Sequence, residues 1–110
     1  MSPRESLPLQ ELVAQLLAEL PDHAAGRTAR TVLSGTVMRA VVIALRDGTE
    51  LAEHDSPAAA TLQVLRGRVT LHAGEQSWPV AEGELLPVPP QRHSVRAHGD
   101  AAVLLTVALH

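Results

Sequence analysis

The 110-residue chain contains no cysteine, phenylalanine or tyrosine, and Trp78 is its only aromatic residue. The absence of cysteine excludes disulfides, thiolate metal sites and cysteine nucleophiles. A single aromatic ring and a formal net charge of −3 argue against a surface for nucleic acid or for an anionic membrane. The apolar runs are far too short to span a bilayer, and the first residues lack the pattern of a secretory signal peptide. We therefore expect a cytoplasmic protein that binds neither nucleic acid nor membrane.

The length and composition fit one globular domain, since 45% of the residues are apolar and 19% are charged. Its N-terminal part predicts a helix, because apolar residues recur between Leu9 and Leu20 with the spacing of one helical face. Pro8 suits the first turn of this helix, and Pro21 ends it. The apolar stripe must be buried, either against the same domain or against a partner subunit. It consists of Leu9, Leu12, Val13, Leu16, Leu17 and Leu20.

From residue 27 onwards, short segments rich in valine, leucine and threonine alternate with glycine-containing turns. Many short strands separated by regular turns are typical of an all-β sandwich or barrel. We accordingly divide the chain into an N-terminal helical segment, residues 1–26, and a β domain, residues 27–110. The predicted strands are Arg27–Ser34, Val37–Leu45, Glu50–His54, Thr61–Leu65, Arg68–His72, Ser77–Val80, Glu84–Val88, His93–Ala97 and Ala101–Leu109.

Two of the six histidines, His54 and His93, stand at the ends of predicted strands. Neutral imidazole is the commonest metal ligand in proteins and also acts as a general base near neutral pH. Two histidines are a weak signal by themselves. Taken alone, each is better explained as a partly buried, hydrogen-bonded polar residue.

The spacing around these histidines resembles the two sequence motifs of the cupins. The first motif reads Gly, five residues, His-X-His, three or four residues, Glu, six residues, Gly, and its positions here are Gly48, His54, Ser56, Ala60 and Gly67. The segment Gly83–His93 resembles the second motif, and the run Leu62–Leu71 looks like the "VLxGxV" hairpin of the family. The resemblance covers roughly residues 37–109. It implies an all-β fold, a cupin-type jelly-roll β-barrel of the RmlC-like kind with a short N-terminal α-helix, and a homodimer.

The sequence departs from the cupin motifs at the metal ligands. In metal-binding cupins, the two His and the Glu of the first motif and the His of the second hold one divalent ion. The corresponding positions here are His54, Ser56, Ala60 and His93, so that Ala60 supplies no donor atom and Ser56 only a neutral hydroxyl. The second motif also has Gln91 in place of its glycine and is one residue short before the histidine. The resemblance thus implies a degenerate site in which His54 and His93 hold one divalent ion weakly, such as Zn, Fe, Mn or Ni.

Three further residues are candidates for contact with a small-molecule ligand in the barrel pocket, namely Ser56, Gln63 and Arg39. Arg39 lies in an apolar strand, where it could clamp a carboxylate, although an arginine there more often extends to the rim. Regular alternation along a strand would place Glu50 and Ser56 on the face of His54. Gln63 reaches the same side as its apolar neighbours only if a bulge intervenes.

Three functions are compatible with these residues. The first is a protein that binds a small ligand, a weakly held divalent metal ion or both in the barrel pocket, with no assigned catalytic residue. The second is a metal-dependent enzyme of the isomerase, decarboxylase or dioxygenase type acting on a small organic substrate. The third is a structural or regulatory dimer in which the helix mediates association and the pocket is vestigial. Whether the protein is an enzyme is left open by the sequence.

Overall fold

A computed structural model describes residues 5–54 and 59–109, and for residues 52–54 it describes the backbone only. In these residues helix α1 precedes a 3₁₀ turn at Leu20–Asp22, and seven strands follow. The helix spans Leu9–Glu19. The strands are β1 (Arg27–Ser34), β2 (Met38–Leu45), β3 (Glu50–His54), β4 (Ala60–Ala73), β5 (Gln76–Ala81), β6 (Leu85–Pro87) and β7 (His93–Ala108).

The two longest strands, β4 and β7, each cross both layers of a sandwich. Their mutual register slips twice between Val64 and Arg68, which bends both strands at the same level. On one side of this bend they pair with β2 and β6, and on the other side with β3 and β5. The first layer is therefore β1-β2-β7-β4-β6, and the second is β3-β7-β4-β5. The expected all-β jelly-roll architecture with a short N-terminal helix is confirmed.

Gly67 lies at the bend of β4, where this strand passes closest to β7. Its φ of +83° is in the left-handed region that favours glycine, and a Cβ atom at this position would lie 2.7 Å from the carbonyl oxygen of Asp100. Gly99 also has a positive φ and lies within β7. The prediction of two separate strands, His93–Ala97 and Ala101–Leu109, is thus wrong, because β7 continues through Gly99 and is hydrogen-bonded to β4 on both sides of the bend.

The space between the two layers is filled by aliphatic side chains. Inward residues alternate along each strand, as Val69, Leu71 and Ala73 do in β4, and they pack against residues of the opposite layer. The buried members of this core are Leu45, Leu62, Val64, Val69, Leu71, Ala73, Val80, Val95, Ala97, Ala101 and Val103.

Helix α1 packs on the outer face of the first layer. Its fully buried residues Val13 and Leu16 form a second apolar cluster with Val42, Ala44 and Ala102 of β2 and β7. The leucine stripe is therefore buried against the same domain, which decides between the two possibilities that the sequence left open. No helix among the described residues is long and apolar enough to cross a membrane.

Arg46 ties the end of the helical segment to the sheet. One guanidinium nitrogen donates to the carbonyl oxygens of Leu20 and His23, at 2.8 Å and 2.9 Å. Carbonyls at the end of a helical segment have no partner within it, and a cation is favourable beside them. This contact fixes the helical segment relative to the first residue after β2.

Candidate functional site

His93 is a buried polar residue at the start of β7. Its side chain is 3% exposed, and it alternates with Val95 and Ala97, which belong to the core between the layers. Nδ1 of His93 lies 2.8 Å from the carbonyl oxygen of Gln91. A carbonyl oxygen only accepts, so Nδ1 carries a proton and donates it. A hydrogen bond of this kind orients an imidazole that binds a metal ion through its other nitrogen.

The backbone of β3 brings His54 opposite His93. Leu51 pairs with Val95 and His54 with His93, so two residues of β3 face one residue of β7 between these pairs. This insertion is a β-bulge, which changes the phase of the strand. The Cα atoms of directly opposed residues in antiparallel strands lie about 4.5–5.5 Å apart. The topology therefore places the two histidines, which are distant in the sequence, side by side on neighbouring strands.

The bulge corrects the expectation of regular alternation in β3. Glu50 is exposed and lies opposite Arg96, whose side chain is also exposed. Leu51, and not Glu50, occupies the row of Val95. Glu50 therefore lies on the outer face of the layer with Arg96, whereas His93 lies on the inner face.

Arg39 lies at the same end of the sandwich as the histidines. It pairs with Val107 of β7, which pairs in turn with Ala60 at the start of β4. The paired residues Arg39, Val107 and Ala60 lie in the first layer, at its end far from the bend at Gly67. The His54–His93 pair lies in the second layer, also at the end far from this bend. The core residues of the two layers pack face to face, and we call the far ends of the two layers the mouth. Arg39 is exposed there, and it forms no ion pair within residues 5–54 and 59–109.

The other two ligand-binding candidates are not brought to the mouth by the described residues. Ser56 lies outside the part of the chain that the structure describes. Gln63 pairs with Leu85 of β6 and Leu104 of β7, in a stretch of β4 whose register is regular. Its neighbours Leu62 and Val64 are buried in the core, so Gln63 lies on the outer face of the layer. The described register contains no bulge that would turn it inward.

Apolar residues that the sequence analysis did not single out line the barrel beside the mouth. Leu86 and Val88 are partly buried against the core, and the backbone N–H of Val88 donates to the carbonyl oxygen of Ala60 at 2.9 Å. Both residues lie in the predicted strand Glu84–Val88, of which the structure forms only Leu85–Pro87 as β6.

The described donor atoms form an incomplete metal site. Among the described side chains, those of residues 5–51 and 59–109, no group of three or more His, Asp or Glu residues is placed to hold an ion. Ala60 contributes no donor, and structural zinc sites use four protein ligands while catalytic ones use three. The oriented imidazole of His93 is the described donor that fits a metal ligand.

No family model and no curated protein matches this sequence. Solved structures do match. A cupin superfamily protein from Desulfitobacterium hafniense superposes with a TM-score of 0.76 at 14% identity, covering 100% of this chain and 95% of that one. An RmlC-like cupin from Desulfovibrio desulfuricans is 26% identical with a TM-score of 0.68, covering 76% and 82%. The chain has the cupin fold.

The cupin fold does not by itself select a function. A variant of salicylate 1,2-dioxygenase from Pseudoaminobacter salicylatoxidans matches with a TM-score of 0.71 at 17% identity, over 89% of this chain but 32% of that one. The fold is therefore also found in an enzyme whose chain is much longer. Function has to be argued from the residues at the mouth.

Proposed function

We propose that this cupin binds a small organic ligand, a weakly held divalent metal ion, or both, at the mouth between His54 and His93. The proposal is carried by the buried imidazole of His93, which the Gln91 carbonyl orients, and by the β3 register that sets His54 opposite it.

The charges around the mouth favour a ligand that carries an anionic group. Arg39 has no carboxylate partner among the described residues, and Ala60 stands where a metal-binding cupin has a glutamate. A guanidinium group binds a carboxylate through two parallel hydrogen bonds. The apolar side chains of Val88 and Leu105 would contact the rest of a small ligand.

A divalent ion at the mouth would have two imidazole ligands at most from the residues assigned here. Water or oxygen atoms of the organic ligand would fill its other positions, so we expect weak binding of Zn, Fe, Mn or Ni. When bound, such an ion would polarise an oxygen atom that coordinates it. His93 would hold it through Nε2, because Nδ1 donates to the carbonyl oxygen of Gln91.

We expect His93→Ala and His54→Ala each to weaken zinc binding at least about tenfold relative to the unsubstituted protein. The measurement is isothermal titration calorimetry with Zn²⁺ alone, on protein without a histidine tag. The matched control is His72→Ala, because His72 is half-buried in β4 and pairs with Ser94 at the same end of the second layer, but on the outer face, since its neighbours Leu71 and Ala73 face the core. An equal loss in the His72 variant would mean that histidines bind zinc indiscriminately, and the proposed site would be wrong.

A metal-dependent enzyme is the alternative use of the same mouth, and the occurrence of the cupin fold in a dioxygenase supports it. The two uses differ in how firmly metal is retained. An enzyme of this kind would carry near-stoichiometric metal when purified without added ions and would lose it in His54→Ala. Elemental analysis of both proteins separates a resident cofactor from a weakly held ion. A structural or regulatory dimer that associates through the helix is less favoured, since the leucine stripe of the helix packs on its own domain.

We also propose that two copies associate through β1. Within the described part of the chain, β1 is hydrogen-bonded to β2 alone, so its other edge offers free backbone groups to a second strand. Leu33, Val37 and Met38 are exposed around the β1–β2 connection. An antiparallel pairing of two β1 edges would bury these apolar side chains.

We expect sedimentation equilibrium to give a dimer whose dissociation constant rises at least about tenfold in Leu33→Lys, because a charge replaces buried apolar contact. The matched control is Leu85→Lys, since Leu85 is 54% exposed and lies in β6 at the opposite edge of the same layer. A monomer in the unsubstituted protein, or equal weakening by both substitutions, would rule out this interface.

A further inference from the structure

The outer face of the second layer carries a polar cluster that is separate from the mouth. An open cavity of about 650 Å³ lies over β4 and β5 on this face. Its lining includes Arg68, Thr70, Pro79, Ala81, Glu84 and His98. These residues lie on the solvent side of the strands whose alternate residues fill the core.

Four residues of two neighbouring strands form the corners of this cluster, which we call the outer patch: Arg68, Thr70, Arg96 and His98. Arg68 lies opposite His98, and Thr70 lies opposite Arg96. Thr70 and His98 are diagonal neighbours and form a hydrogen bond, since Oγ1 of Thr70 is 2.7 Å from Nε2 of His98. Arg68 and Arg96 are the other diagonal pair, and the backbone positions of such neighbours in a sheet are about 7–8 Å apart.

The two arginines of the outer patch lack anionic partners. No ion pair involves Arg68 or Arg96 among the described residues. Two nearby carboxylates accept backbone hydrogen bonds, since Glu82 accepts from the N–H of Gly67 at 3.1 Å and Glu84 from that of Ala81 at 2.8 Å. Glu84 also lines the cavity, and Glu50 of β3 lies opposite Arg96, but neither forms an ion pair with Arg68 or Arg96. The two guanidinium groups therefore lie on the same exposed face without an ion pair to the described part of the chain.

We infer that the outer patch binds a compact oxyanion, a phosphate or carboxylate group of a small molecule, between the guanidinium groups of Arg68 and Arg96. An oxyanion there would relieve the repulsion between the two cations and accept charge-assisted hydrogen bonds from both. The hydroxyl of Thr70 and the ring of His98 supply polar atoms on the other diagonal, and Pro79 and Ala81 supply apolar contact beside them. The patch is exposed, so salt weakens the binding. This site does not depend on the function proposed for the mouth.

The test is a titration of the full chain with inorganic phosphate and, separately, with citrate, followed by backbone amide chemical shifts in two-dimensional NMR. We expect shifts at residues 68–70 and 96–98, and an affinity that falls about tenfold in Arg68→Gln and in Arg96→Gln. Arg68→Lys keeps the charge but loses the planar fork, so it should bind with intermediate affinity. The matched control is Arg27→Gln, which removes an exposed arginine of β1 and should change nothing.

Each outcome decides the inference. A response to phosphate alone identifies a phosphate group as the ligand chemistry, and a response to citrate alone identifies a carboxylate. Equal losses in Arg68→Gln and Arg27→Gln would show an adventitious ion only and would overturn the site. Shifts confined to the mouth, near residues 39 and 93, would also overturn it while leaving the proposed function intact. Well-dispersed spectra of the variants show that they remain folded.

Discussion

Replacing Gly67 with alanine is expected to destabilise the protein by about 3 kcal/mol or more, which is at the upper end for single substitutions. Two costs add at this position. A residue with a side chain pays about 1–2 kcal/mol for the left-handed backbone conformation. In addition, its Cβ atom would lie 2.7 Å from the carbonyl oxygen of Asp100 and 3.2 Å from Ala101, so the crossing of β4 and β7 must open.

The measurement is the free energy of unfolding from urea denaturation, compared with Gly74→Ala. Gly74 also has a positive φ, of 60°, but a Cβ atom there would meet nothing within 4 Å. The control therefore isolates the conformational cost, which we expect to be about 1–2 kcal/mol. Equal losses in the two variants would show that the strands do not approach closely at Gly67. If Gly67→Ala does not fold at all, the same two alanine variants are compared in the presence of a stabilising osmolyte.

The part of the fold that depends on local sequence was predictable. The spacing of Leu12, Val13 and Leu16 and the flanking prolines predicted α1, and strand segments such as Glu50–His54 had the expected bounds. The bends in β4 and β7 were not predictable. A glycine with positive φ, such as Gly99, has the same appearance in the sequence whether it ends a strand or bends one. Which of the two occurs depends on pairing with a strand that is distant in the chain.

The same limit applies to the candidate site. The motif spacing selected His54 and His93, and the register confirms that their backbones are neighbours. The bulge between Leu51 and His54 places Glu50 on the outer face. It arises from the pairing of β3 with β7, and no residue type in β3 predicts it. The outer patch was also hidden, because residues such as Thr70 and His98 meet only through the pairing of β4 with β7, 28 residues apart in sequence.

Leu16→Ala is expected to cost about 2–5 kcal/mol of stability, since Leu16 is fully buried between α1 and the first layer. The substitution removes apolar contact with the cluster that contains Val42, Ala44 and Ala102 and leaves a cavity there. Gln15→Ala is the matched control on the exposed side of the same helix, where we expect a change within about 0.5 kcal/mol. Urea denaturation of both variants measures the difference.

This comparison also tests whether α1 is an integral part of the domain. If the helix packs on its own sheet, Leu16→Ala lowers the free energy of unfolding by the same amount at every protein concentration. If the stripe instead packed on a partner subunit, Leu16→Ala would weaken association, and the loss that it causes would change with protein concentration. Zinc binding at the mouth should be unchanged in Leu16→Ala under native conditions, because the helix lies on the outer face of the first layer while His93 points between the layers. A weakening of zinc binding equal to that of His93→Ala would contradict this separation of the helix from the site.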